Sequence, residues 1–431
     1  MLENQFKLIK IKKRTLQEWF VLIFFMMPLI LAFLTEFLGL TSSVRYLMDV
    51  ILICLGVLLY FRKQITIPQK LKPLFLLVIV FFVYSLIMYF FNYQSIFYFL
   101  WGTRNTFRFY LAFLIFVSYV SQAEAETWLK FLDIIFWINL AITIYQFAVL
   151  KVHQDLLGGI FGVNASANGY MLVFFCIVIG RSLLKTFDGN ESYVYCALKC
   201  AASLVIAAMA EMKFYYFAFV LILVVAACLT RFTKEKIVFL ILAFVIVVAA
   251  ASLLTFWYSE FDNFFSLETL FELATKENYS SENDINRLSA ISVMMDKYIV
   301  EPGQQIFGKG LGNCDGSDVS IFNSPFYQNY SFLHYSWFAF VMIFLETGFV
   351  GLGLFLAFFV LCAVYSRKQL KNNTGNRLFC QLGILMAILS IVIAFYNASL
   401  RIEAGYMVYF ALALPFMINT EDENSQNIST D

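Results

Sequence analysis

Long apolar runs alternate with short polar connections along almost the whole chain. Runs of about 15 to 22 residues recur, which is the pattern of membrane-spanning helices rather than of a water-soluble core. The sequence therefore predicts an all-α polytopic membrane protein with about twelve transmembrane helices. The predicted spans lie near residues 19–39, 44–61, 74–91, 106–121, 131–150, 168–185, 194–210, 214–230, 237–257, 348–366, 379–397 and 404–418.

One connection is much longer than the others and divides the chain. We predict nine N-terminal spans in 1–257, a large outer loop with an interfacial helix in 258–347, three C-terminal spans in 348–418 and a disordered polar tail in 419–431. The first span has no small-residue cleavage site and a second span follows at once. The N-terminus is therefore expected to be an anchor and not a removable signal peptide.

The distribution of charge predicts the orientation. With the N-terminus placed inside, two thirds of the lysines and arginines fall on the cytoplasmic side, as the positive-inside rule requires. Both termini are then cytoplasmic and the long loop is extracytoplasmic. All cysteines but Cys314 lie in predicted spans, which argues against a secreted disulfide scaffold.

The long loop contains the stretch "RLSAISVMMDKYIVEPGQQIFGKGLGN", which begins at Arg287. A capping box at "SEND" (281–284) predicts a helix that Pro302 ends, with Arg287 in its first turn. Arg287 is then either a solvated surface residue or a partner of the helix N–H groups in binding a phosphate. Acidic residues outnumber basic ones in this loop, so a nucleic-acid surface is not expected.

The segment 331–365 is too long for one span and breaks near Gly348. We predict an interfacial helix that His334 opens, followed by a true span. His153 is the only other histidine of the chain, so we expect neither a histidine-cluster metal site nor any metal or other cofactor.

Several other polar residues lie at the outer ends of predicted spans, where topology does not require them. Each also has a structural explanation. The arginines of "WGTRNTFRFY" could anchor the helix to lipid headgroups, and the charges of "AEMKF" and of "NASLRIEAG" could pair with each other. Turn chemistry explains Asn168. The candidates for substrate binding are Arg104, Arg108, Glu211, Lys213, Arg401 and Asn168.

Together these features resemble a known superfamily. Arg287, Pro302 and the turn Gly308-x-Gly310-x-Gly312, followed by His334 in "HYSWFAFVMIFLETGFVGLG", are similar to the O-antigen ligase and Wzy-type polysaccharide polymerase superfamily. The late outer loop and the number of spans agree with it. The resemblance extends over roughly residues 95–405 and rests on the order of the motifs.

The resemblance implies a metal-independent membrane glycosyltransferase of the GT-C type. Its donor and acceptor would be undecaprenyl-diphosphate-linked oligosaccharides, with membrane lipids and a chain-length regulator as further candidate partners. Arg287 and Lys213 would bind the diphosphate, helped by Arg104, Arg108 or Arg401, and His334 would serve the acceptor hydroxyl. Lys213 stands where family members often carry arginine.

Three functions compete at this point. We expect a polymerase of capsule, exopolysaccharide or O-antigen in a bacterial cytoplasmic membrane. A ligase that transfers the glycan to a different acceptor is the nearest alternative. A twelve-span transporter or flippase of lipid-linked sugar is less consistent with charges that collect at the outer ends, since transporters carry them near the midplane.

Overall fold

A computed structural model describes residues 16–61, 71–258, 276 and 284–418. The described residues form helices and connecting turns, with no β-strand among them. The helices are α1 Leu16–Ala32, which continues as a π-helical turn Phe33–Phe37, α2 Arg45–Phe61, α3 Lys72–Phe91, α4 Ile96–Tyr119, α5 Gln122–Ala148, α6 Ala167–Phe187, α7 Tyr193–Met209, α8 Lys213–Leu229, α9 Lys234–Trp257, α10 Ala290–Lys297, α11 Pro302–Phe307, α12 Pro325–Tyr330, α13 Ala339–Asn372, α14 Arg377–Tyr396 and α15 Ala404–Ala413.

In the described part of the chain, seven helices are long and apolar enough to cross a membrane. They are those of the segments Gln17–Glu36, Lys72–Phe91, Gln122–Ala148, Ala167–Phe187, Lys234–Trp257, Ala339–Asn372 and Arg377–Tyr396. The all-α polytopic class is confirmed, whereas the predicted count of twelve is not reached. Three further apolar helices are shorter, α2 has only 17 residues, and α4 carries two arginines within its length.

The bundle has a buried centre and an apolar periphery. Of the most apolar part of α6, 94% is buried, against 17% for α3. Helices α14 and α15 complete the centre, since 13 of the 20 residues of α14 and all ten residues of α15 are buried. The outer surface is rich in exposed Phe, Ile, Leu and Val, which a hydrocarbon environment accommodates.

Consecutive long helices end at alternate ends of the bundle. At one end, which we call the loop end, residues 284–338 dock against α3 and α4, where Trp101 Nε1 donates to the Gly316 carbonyl. At the opposite end, Arg377 at the start of α14 pairs with Asp188 after α6, with Nε 2.9 Å from Oδ2. Gln122 N also donates to the Ile418 carbonyl there. Side chains near the loop end can therefore act together although they are far apart in sequence.

The glycine-rich turn at 308–312 fixes the loop to the bundle. Gly312 has φ +85°, and a Cβ there would lie 1.9 Å from the Tyr98 carbonyl oxygen of α4. Gly348, with φ +63°, breaks α13 at the predicted place, and a Cβ there would lie 2.2 Å from the Ile306 carbonyl oxygen. These glycines permit close backbone contact, and the turn serves docking.

Candidate functional site

Two short segments of the long loop pair with each other, and these segments contain Arg287 and His334. The backbone N–H of Ile285 donates to the Leu333 carbonyl, with N and O 3.1 Å apart. This bond places residues 284–287 beside residues 333–338. Arg287 and His334 therefore belong to one local unit.

His334 is held by its backbone, a ring and a carboxylate. Its φ is +53°, and it lies between the 3₁₀ turns Ser331–Leu333 and Tyr335–Trp337. The imidazole stacks on Trp337 with centroids 4.2 Å apart and planes at 15°, and Nδ1 lies 2.5 Å from Asp284 Oδ1. The sequence predicted that His334 opens the following helix. This prediction is wrong, because α13 begins at Ala339. A non-glycine residue in the left-handed region is uncommon and is often found at functional sites.

Arg287 precedes α10 and does not lie in its first turn, because the helix begins at Ala290. The guanidinium carbon lies 4.4 Å from the centroid of the Tyr396 ring and 5.8 Å from that of Phe338. Such stacking covers the flat face of a guanidinium, whereas its N–H groups point outward in the plane. The predicted capping serine of "SEND" lies outside the described residues.

Tyr396 connects Arg287 to the start of α8. Its ring stacks on Phe214 with centroids 3.8 Å apart and planes at 11°. The neighbouring Lys213 is the first residue of α8, and its Nζ lies 2.7 Å from Glu211 Oε1. The pairing of these two charges, considered from sequence, is therefore present. It occurs next to the aromatic stack that carries Arg287.

The carboxylate of Asp155 lies within electrostatic reach of both Lys213 and Arg287. Protein atoms around Asp155 partly desolvate its carboxyl group. This desolvation raises the pKa of the Asp155 carboxyl, and the positive charges of Lys213 and Arg287 both act against the rise. Asn168 Nδ2 donates to Asp155 Oδ1 over 2.7 Å. We call this group of side chains the rim site: Asp155, Asn168, Glu211, Lys213, Asp284, Arg287 and His334.

The other three predicted cations form a separate group, which we call the arginine network. Arg104 donates from Nε and Nη2 to Asp49 Oδ2, over 2.9 and 2.7 Å. Arg108 donates from Nη1 to Glu403 Oε1 over 3.1 Å and from Nη2 to the Arg401 carbonyl over 2.8 Å. The Arg108 side chain is only 4% exposed.

Arg401 extends the network to the docked loop. Its Nη2 lies 2.7 Å from Asp315 Oδ2 and its Nη1 3.3 Å from Glu346 Oε2. The sequence suggested that it pairs with the adjacent Glu403, but that carboxylate binds Arg108. The network comprises three arginines and four carboxylates: Arg104, Arg108, Arg401, Asp49, Asp315, Glu346 and Glu403.

A cavity of about 300 Å³ opens beside the network at the loop end. Its wall includes the stacked rings of Phe161 and Tyr170, whose centroids are 5.7 Å apart. Tyr170 Oη donates to Glu403 Oε2 over 3.0 Å. The cavity therefore combines aromatic and hydrogen-bonding groups on the same face as the rim site.

Sequence reasoning missed Asp49, Asp155, Asp284, Asp315 and Tyr396. Of these residues, only Asp284 enters the sequence analysis, as the last residue of the capping box "SEND". The sequence contains one usable signal for the missed residues. Asp49 is a carboxylate inside the predicted second span, and a charge at that place requires a buried cation nearby.

The comparisons with known proteins assign no family. No family model matches the chain, and no curated protein matches it.

Proposed function

We propose that this protein is a membrane glycosyltransferase that polymerises lipid-linked glycans. It would join undecaprenyl-diphosphate-linked oligosaccharide repeat units into capsular, exo- or O-antigen polysaccharide. The observation that carries the proposal is the pairing of residues 284–287 with 333–338, because it brings a guanidinium and an imidazole into one local unit. The resemblance of the loop motifs to the O-antigen ligase and Wzy-type superfamily supports the same function.

The rim site has groups suited to a diphosphate leaving group. Negative charge develops on the diphosphate as the sugar departs, and preorganised cations lower that barrier. The stacking of Arg287 on Tyr396 orients its N–H edge, and Lys213 adds a second charge nearby. Glu211 and Asn168 are proposed to contact the glycan or to adjust the charge of Lys213.

The proposed reaction is one displacement at an anomeric carbon. The acceptor hydroxyl oxygen forms a bond to that carbon, and the bond from the carbon to the diphosphate oxygen breaks. The diphosphate leaves with the bonding electron pair, facing Arg287 and Lys213. His334 takes the proton of the acceptor hydroxyl, since a neutral imidazole is a competent base near neutral pH.

Arg104, Arg108 and Arg401 are given a structural role in this proposal. Carboxylates, a backbone carbonyl and an amide oxygen already accept hydrogen bonds from these arginines, and the carboxylates of the network would repel a diphosphate. Their proposed role is to hold the helices and the docked loop together at the loop end. This differs from the helper role that the family resemblance implied.

We further propose twelve crossings of a bacterial cytoplasmic membrane, with both termini inside and the rim site outside. The alternation of helix ends supports an even count, because α2 and α4 run between the same two ends as their neighbours. The excess of lysine and arginine in the connections of the opposite end supports the orientation. A transporter is disfavoured, since the rim site lies at an end of the bundle.

Reconstitution with lipid-diphosphate repeat units tests the proposal. Purified protein in vesicles is expected to produce glycan ladders of increasing length, resolved by electrophoresis. Single-step transfer to a different acceptor would instead establish a ligase. The absence of any covalent product with an intact, inserted protein would overturn both, and movement of the lipid-linked sugar across the bilayer would then indicate a flippase.

A further inference from the structure

Asp284 lies against one nitrogen of the only histidine in the rim site. Its Oδ1 is 2.5 Å from Nδ1 of His334, although the two residues are 50 positions apart. The Asp284 side chain is 14% exposed and that of His334 is 39% exposed. The carboxylate side of the imidazole is therefore enclosed, and the ring remains accessible from elsewhere.

An ionised carboxylate accepts hydrogen bonds and does not donate them. A neutral imidazole beside it is stabilised with its proton on Nδ1, which leaves a lone pair on Nε2. Nε2 lies across the ring from Nδ1, so it points away from Asp284. The pair thus leaves an unprotonated nitrogen directed away from the carboxylate on a side chain that is partly exposed.

Two further constraints hold the ring in this orientation. Trp337 stacks on its face at 4.2 Å, and the left-handed backbone of His334 lies between two 3₁₀ turns. Rotation about the Cα–Cβ bond would lose both the stacking and the Asp284 contact, and a flip of the ring about the Cβ–Cγ bond would turn Nδ1 away from Asp284. The arrangement has the preorganisation that a proton acceptor needs.

We propose that Asp284 is a positioning residue that fixes the tautomer of His334 with Nε2 free to receive a proton. The consequence for catalysis rests on the proposed glycosyl transfer, in which the acceptor hydroxyl proton goes to this nitrogen. The carboxylate stabilises the imidazolium that forms, as it does in a serine–histidine–aspartate triad. Asp284 itself touches neither substrate nor leaving group.

The tautomer is measured by nitrogen NMR on full-length protein with isotope-labelled histidine. The chain has only two histidines, so His153 provides an internal reference and His334→Gln assigns the signals. In the wild type near neutral pH, we expect His334 to carry its proton on Nδ1. Asp284→Ala is expected to move the population toward the Nε2–H form, while the His153 signal is unchanged.

Chain elongation provides the second measurement. Asp284→Ala and Asp284→Asn are expected to slow elongation by about ten- to a hundredfold, part of the roughly 10²- to 10⁴-fold that a positioned general base contributes. Asp284→Glu is expected to restore part of the rate. The matched control is Asp296→Asn, an exposed carboxylate on α10, which is expected to alter neither the tautomer nor the rate.

The outcomes separate this inference from the proposed function. A wild-type proton on Nε2, or a His334 signal that Asp284→Ala leaves unchanged, overturns the role of Asp284 whatever the rate. The wild-type measurement does not depend on whether any variant folds, so the inference stays testable. If the tautomer responds as expected but His334→Ala elongates normally, the catalytic role of His334 fails and the pair remains as a structural contact.

Discussion

The rim site and the arginine network are built from the same residue types at the same end of the bundle, but their arginines differ in burial. In the network, the side chains of Arg108 and Arg401 are only 4% and 7% exposed, and carboxylates at 2.7 to 3.3 Å bind the guanidinium groups. In the rim site, Arg287 is half-buried and its guanidinium stacks on Tyr396. A fully buried guanidinium depends on its carboxylates for stability, whereas a half-buried one can be approached from outside the bundle.

This difference separates a structural cation from a candidate ligand-binding one. A diphosphate entering the network would have to displace carboxylates that cannot move far within a packed bundle. At the rim site it would approach the half-buried Arg287 and Lys213, which pairs with Glu211. The comparison predicts that network variants lose stability and that rim-site variants lose activity.

The largest expected effect is that of Arg108→Ala on folding. The change leaves Glu403 and Asp49 without their buried partner, and breaking a buried pair in this way costs about 3–5 kcal/mol. We expect a strongly lowered yield of inserted protein and a lower denaturation midpoint in mixed micelles. Activity per folded molecule is expected to fall much less.

The matched control is Arg45→Ala at the same end of the bundle. Arg45 pairs with Asp318, but the two side chains are 33% and 69% exposed. An exposed pair contributes at most about 1 kcal/mol, so the midpoint is expected to shift little. Equal losses in Arg45→Ala and Arg108→Ala would contradict the distinction between buried and exposed pairs.

The next effect concerns Arg287 and is on activity. Arg287→Ala is expected to lower the elongation rate by about 10²- to 10³-fold, the usual result of removing one preorganised donor from a developing charge. Arg287→Lys keeps the charge but loses the planar fork and the stacking on Tyr396, so we expect a loss of about tenfold. Rates are measured in vesicles and the denaturation midpoint in mixed micelles.

Lys297→Ala, which removes an exposed cation from the end of α10, is the control for this series. It is expected to keep the wild-type rate and midpoint. If Arg287→Ala elongates at the wild-type rate, Arg287 has no part in the mechanism. If it lowers the midpoint as strongly as Arg108→Ala does, the two regions do not differ in kind.

Much of the fold follows from local pattern. Apolar runs of the right length predict the helices, and Gly348 marks the break in α13 because only its backbone tolerates that geometry and that close contact. The count of twelve spans does not follow in the same way, because α2 is short and α4 carries two arginines whose place in the bundle depends on carboxylates from other helices. Burial is a tertiary property, and apolar periodicity does not encode it.

The candidate site was predictable only in part. The sequence singles out Arg287, Lys213 and His334. At the loop end, Arg287 stacks on Tyr396, Lys213 pairs with Glu211 and His334 contacts Asp284. The start of α10 after Arg287 and the left-handed backbone of His334 were not foreseen. The grouping of Arg104, Arg108 and Arg401 was also missed, because their carboxylates lie on other helices and in the loop.

The smallest expected effect tests the charge of the rim site itself. Glu211 Oε1 lies 2.7 Å from Lys213 Nζ, so it reduces the attraction of that lysine for an anion. Glu211→Gln keeps the size and an acceptor oxygen but removes the negative charge. A like charge removed from the vicinity of a bound diphosphate changes its binding by about 1 kcal/mol, or roughly fivefold. We expect the KM for the lipid-diphosphate substrate to fall by that factor, kcat to change little and the difference to shrink as salt is added.

Glu301→Gln, at an exposed position ahead of α11, is the control and should change neither constant. A higher KM in Glu211→Gln would instead mean that this carboxylate binds the glycan or holds Lys213 in place, and the electrostatic contrast between the two regions would then rest on Arg287 alone.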